Sequence, residues 1–212
     1  MLKRHSVLIG TTIAISLMLI AIRVYPGGSF SDKDSIGFDW TKNFISNLFD
    51  AKAVNGADNS SRVWADAGMI FLSVSFSIFF IEFSKKIPLK GAARVIKCFG
   101  AGGMLFSFLI VTPLHNMMVL LAGTMYLVSI FYITAFILKS RLHLLKFLCI
   151  ICLLIFYYTM FLYGTHNLVL LPIMQKVTFA SVIILILILE YFTKKEDFQN
   201  VGAARPKKSI DQ

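Results

Sequence analysis

Two His-Asn pairs, His115-Asn116 and His166-Asn167, are the residues of this sequence best suited to chemistry. A neutral imidazole is a general base near neutral pH and a common ligand for a divalent metal such as zinc. An adjacent amide can hold a water or anchor a carbonyl. Asp66 adds a carboxylate, and Asp39, Ser46 and Asp50 add two more and a hydroxyl upstream of it. Brought together, these residues allow two chemistries. His115, His166 and Asp66 are the candidate metal ligands, and with Ser46 they are also the catalytic candidates for a hydrolysis. Asp39, Ser46, Asp50, Asn116 and Asn167 are the candidate ligand-binding residues. The sequence has no H-E-x-x-H, no G-x-S-x-G, no Walker loop and no paired C-x-x-C, so no motif fixes a reaction. Each residue also has a plainer reading. Histidines near a membrane boundary are often only interfacial hydrogen-bonders, and Asp66 has Arg62 one helical turn before it as an ion-pair partner.

The elements that must position this set are long apolar runs. Of 212 residues, 57% are hydrophobic and 15% charged, with a mean hydropathy of +0.76. A soluble domain is roughly a quarter charged. A helix needs about 20 apolar residues to cross the bilayer. Six runs qualify: 7–24, 64–83, 92–112, 117–138, 144–163 and 173–192. Lipid offers the backbone no hydrogen bonds, so each run is expected to be a helix. The fold class is therefore an all-α membrane protein, a six-transmembrane-helix bundle. Residues 1–193 form the six-span domain, residues 25–63 an outer loop, and residues 194–212 a cytoplasmic disordered tail.

The net charge of +10 invites a nucleic-acid reading, but its placement argues against one. Lys3, Arg4, Lys85, Lys86, Lys90, Arg94, Lys97, Lys139, Arg141, Lys146, Lys194, Lys195, Arg205, Lys207 and Lys208 all fall at the ends or links of one side. Only Arg23, Lys33, Lys42, Lys52, Arg62 and Lys176 fall on the other. Basic residues accumulate on the cytoplasmic side of membrane proteins, which places both termini inside and the long loop outside. The expected location is a bacterial cytoplasmic (inner) membrane.

Within the loop, Trp40, Phe44, Ile45, Leu48 and Phe49 share one face at helical spacing. This predicts a short amphipathic interfacial helix over Asp39–Asp50. Asn59-Ser60-Ser61 matches a glycosylation sequon. Gly10-x-x-x-Ala14 and Gly103-x-x-x-Ser107 fit close helix approach. The second run carries small or polar groups on two faces, so it is expected at the centre of the bundle. Cys149 and Cys152 have C-x-x-C spacing, but an apolar helix makes them packing residues.

The stretch Asn43-Phe44-Ile45-Ser46-Asn47-Leu48, with Trp64 and Gly68 opening the second run and Pro113, His115 and Asn116 closing the third, resembles a family of bacterial and archaeal six-span membrane proteins with an I-S-x-L-G signature. It is more distantly similar to DRAM/FRAG-type six-span proteins. The chain departs from the signature at Phe49, where Gly is usual, and at Asn47, where an acidic residue is common. The resemblance implies the six-span topology and marks Ser46, His115 and Asn116, but it carries no activity. Three functions compete: a bundle that binds membrane lipid or a membrane protein partner through a polar pocket at its outer face, a metal-assisted hydrolase of lipid headgroups, and a small-solute transporter. Transporters place charges near the midplane, and these runs have none there.

Overall fold

The computed structural model describes residues 2–110, 112 and 114–201, without the side chains of residues 2–4, 115, 116 and 200. The chain forms six long helices: α1 (Leu2–Arg23), α2 (Arg62–Ser84), α3 (Lys90–Leu109), α4 (His115–Lys139), α5 (His143–Gly164) and α6 (Leu171–Phe192). All six are long and apolar enough to cross a membrane. The helix ends lie within a few residues of those expected from the apolar runs, because it is the apolar length that lipid selects. Pro26 and Pro88 fall between helices. Pro172 sits in the first turn of α6, where no backbone donor is lost.

Consecutive helices pack as antiparallel neighbours, and α6 also touches α1 and α2. His5 Nδ1 and the Tyr191 hydroxyl, 2.8 Å apart, join α1 to α6. α2 lies between α1 and α3, as its two small-residue faces predict. Gly10 and Gly68 sit at the α1–α2 contact, facing Ser75 and Ala14 respectively. Gly103 meets the α4 backbone near Ala122 and Tyr126, while Gly100 lies against the ring of Phe80. Without a hydrophobic force between helices in lipid, such close approaches supply the packing.

The bundle is filled unevenly. Its largest fully buried side chains include Phe79, Phe80 and Phe83 of α2, Ile96 of α3, Ile130, Ile133 and Ile137 of α4, and Leu185, Ile186 and Leu189 of α6. All lie in the half away from the long loop. Residues Lys195–Val201 continue into a 3-10 helix that folds under this half. There Phe198 is 0% exposed and meets Phe83 edge-on at 5.8 Å. This corrects the disordered-tail expectation for residues 194–201, because one aromatic side chain supplies the apolar area that the polar residues around it lack. Residues 202–212 lie outside the described residues.

The loop of residues 24–61 is folded on itself. Its helix is a single 3-10 turn, Ile45–Leu48, shorter than Asp39–Asp50. The reason is side-chain competition for the backbone. Asp39 Oδ1 accepts from the Thr41 and Lys42 amides. Asn43 Oδ1 accepts from the Asp39 amide at 2.8 Å, and Asn47 Oδ1 from the Phe44 amide at 2.8 Å. Leu48 and Phe49 are buried, whereas Trp40 is exposed. Asn59 is buried, and its Nδ2 donates to the carbonyls of Asn47 and Asp50 at 3.0 and 2.8 Å. Its amide is thus a structural hub and not an accessible sequon. Gly28 takes a φ of 83° with its Cα against the backbone of Asn55, a place with no room for a side chain.

Candidate functional site

Between the loop and the packed half, the bundle is hollow. A cavity of about 1020 Å³ is walled by α2, α3, α4, α5 and α6 and capped by the turn Phe44–Asp50. Its wall is mostly apolar, with Met69, Leu72, Phe76, Met104, Phe156 and Ile183 contributing from four helices. Met117, Leu120 and Leu168 line it and are also largely exposed. The cavity therefore opens among apolar side chains near the loop.

The cap is held by the first turns of α6. Gln175 Oε1 accepts the Ile45 amide at 2.8 Å. Lys176 Nζ donates to the Asn43 carbonyl at 2.5 Å and lies 5.4 Å from the centre of the Phe38 ring. The Lys176 ammonium is thus satisfied by the Asn43 carbonyl, the Pro172 carbonyl of its own helix and a ring face, and the Asn43 and Phe38 contacts tie the loop to α6.

Three of the residues marked by the sequence line this cavity: Ser46, Asp50 and His166. His166 holds the most unusual backbone of the set, a φ of 53°. Its amide donates to the Tyr163 carbonyl at 3.2 Å and the Asn167 amide to the Leu162 carbonyl at 3.1 Å. These two bonds form the left-handed cap that usually ends a helix on glycine. Histidine there aims an imidazole out from the end of α5.

The other marked residues are engaged elsewhere. Asp66 does not line the cavity. Its Oδ2 lies 3.7 Å from Arg62 Nε, the ion pair that their spacing allows. Asp39 stays in its turn, where the Thr41 hydroxyl first and the Thr41 amide second hold its carboxyl below the usual range. Asn167 Oδ1 caps the turn into α6 by accepting the Leu170 amide at 3.1 Å. The His115 and Asn116 side chains lie outside the described residues. The backbone at His115 opens α4 and does not close α3, so the two His-Asn pairs occupy different places in their helical hairpins. Among the described residues, no three of His, Cys, Asp and Glu converge as a set able to hold a metal ion.

The cavity also collects polar groups outside the candidate set. Thr159 and Thr178 face each other across α5 and α6, their hydroxyls 2.7 Å apart. Deeper lie Ser73 of α2 and Tyr126 of α4, both cavity-lining. Ser73 shares a face of the second run with Asp66 and Ser77, and helical periodicity marks it; nothing in the sequence marked Tyr126. Tyr126 packs against Phe156 at 5.2 Å and edge-on to Phe80 at 6.1 Å.

Six helices long and apolar enough to cross a membrane, five of them around an apolar cavity, define the class: an integral, multi-pass α-helical membrane protein. Compared with family models, curated proteins and solved structures, the chain matches none of them.

Proposed function

We propose that this protein binds a lipid-like amphiphile from the membrane in the cavity between α2 and α6. The observation that carries this reading is the cavity itself. It has about 1020 Å³ of space inside the bundle, apolar walls and an opening among Met117, Leu120 and Leu168. Its size is at the upper end for small-molecule sites. In contact with a bilayer, a mostly apolar cavity with an apolar mouth is filled by chains from that bilayer. The polar wall groups then select which amphiphile stays.

Gly123 of α4 lines the cavity opposite Met160, so Gly123→Phe pushes a ring into the cavity from that wall. Native mass spectrometry of protein taken directly from membranes is expected to show a bound lipid on the wild type. At least a tenfold lower occupancy is expected in the variant, with its helical circular dichroism unchanged. Equal occupancy in both proteins would overturn the reading.

A further inference from the structure

We infer that the outward face of α3 is a docking site for an anionic phospholipid, held by its phosphate between Arg94 and Lys97 at the end of the bundle away from the long loop. None of these residues lines the cavity, so the site is separate from it. Three observations lead there. The first is a stripe of cations. Lys90, Arg94 and Lys97 stand at i, i+4 and i+7 of α3 (Lys90–Leu109), so they share one face of that helix. All three are exposed. Side chains three residues apart on a helix have Cβ atoms about 5–6 Å apart, so Arg94 and Lys97 reach one phosphate together. Among the described residues, no carboxylate forms an ion pair with any of the three; Glu82 pairs with Lys85 and Glu190 with Lys86 instead.

The second observation is depth. Lys97 lies seven residues into α3, about 10 Å along its axis. The apolar stretch after it, residues 98–111, spans about 21 Å as a helix. The hydrocarbon core is about 30 Å thick. Headgroups on this side therefore come down toward Lys97, or its cation stands in hydrocarbon at a high cost. Helical side chains tilt toward the N-terminus, which leads the Lys97 ammonium up toward Arg94. Two like charges brought together there are relieved by an anion between them. Arginine offers a phosphate a fork of donors, and lysine adds a point charge.

The third observation is what lies below the cations. The same face continues through Ala101 to Leu105, which is 60% exposed. Ile96, Gly100 and Gly103 are buried on the inward side, and α3 is the least buried of the six helices. Cations directly above an open apolar face match a molecule with an anionic head and an acyl chain. A dissolved anion uses only the first half of that arrangement.

The test is native mass spectrometry of the purified, delipidated protein in detergent. It is titrated with dioleoylphosphatidylglycerol and with dioleoylphosphatidylethanolamine, which has the same chains and no net charge. The wild type is expected to bind the phosphatidylglycerol at least tenfold more tightly. Arg94→Gln with Lys97→Gln should remove that preference and leave phosphatidylethanolamine affinity the same, which also shows that the variant is folded. Should the double variant fail to fold, Arg94→Gln and Lys97→Gln alone decide, each expected to weaken phosphatidylglycerol by about threefold or more. Lys139→Gln with Arg141→Gln takes two charges from the same end of the neighbouring α4 and should cost less than about threefold. Equal affinity of the wild type for the two lipids, or no loss in the α3 variants, overturns the assignment. An equal loss in the α3 and α4 variants overturns it too, since the lipid would then read the total charge of this end and not the face of α3.

Discussion

Asp39 shows how a residue chosen for chemistry can be employed in folding. Its carboxylate closes the turn that starts the cap, accepting from the Thr41 hydroxyl at 2.7 Å and the Thr41 amide at 2.8 Å. The folded form holds it ionised more strongly than the ordinary value of 3.8, through those two bonds first. A lowered carboxyl pKa contributes stability that is fully present above 3.8 and is lost as pH falls through the lowered value. In a Trp64→Phe background, Trp40 emission should hold steady to about pH 4 and shift only below 3.8. Asp39→Asn should remove that transition. A midpoint at or above 3.8 in the parent would show that the turn does not hold the carboxylate. Spacing in the sequence identified Asp66 with Arg62 as a pair, since both lie on one helix. It could not identify Asn43, Asn47 and Asn59 as hubs, because two of these amides reach carbonyls that are remote in sequence: Asn43 bonds Gly28 at 2.6 Å and Asn59 bonds Asn47 at 3.0 Å.

At the scale of elements, α6 both walls the cavity and fastens its cap. Gln175 and Lys176, adjacent in sequence, take the Ile45 amide and the Asn43 carbonyl. Each such bond is worth about 1 kcal/mol, with the charged one higher. Replacing both, Gln175→Leu with Lys176→Met, should speed hydrogen exchange of the amides in 43–49 at least tenfold while leaving the amides of α2 and α4 protected. Equal protection in the variant would mean that the loop holds itself down without α6. The clamp was hidden in the sequence: Lys176 counted only as one of six basic residues on the outer side. The helices were legible because lipid leaves a buried backbone one solution. The Asp39–Asp50 helix was only partly legible, because its apolar spacing competes with asparagine and aspartate side chains that seize the same amides.

Over the whole molecule, one half of the bundle is packed and the other is hollow. The packed half is closed by Phe198, which seals the contact between the ends of α2 and α4. Phe198→Ala should cost about 3–5 kcal/mol, the range for emptying a buried aromatic site. Reversible unfolding by denaturant in micelles would show it as a lower midpoint. A change under 1 kcal/mol would mean that the 3-10 segment is an ornament on a core complete without it. The hollow half could not be read from composition, since apolar residues facing a void and apolar residues facing lipid look alike. Only the three-dimensional course of five helices separates them, and it brings Ser46, Asp50 and His166 to one space while leaving Asp66 outside.

The wall supplied by α6 also orders events in time. Helices enter the membrane in sequence, and α1 to α5 alone enclose nothing: they form a trough whose missing side is Leu171, Gln175, Thr178 and Ile183. A guest present before the sixth helix arrives would be walled in by it, and the Gln175 and Lys176 latch would drop only afterwards. Under the proposed amphiphile reading, the ligand is taken during biogenesis as readily as at maturity, with the guest serving as a template on which the last helix settles.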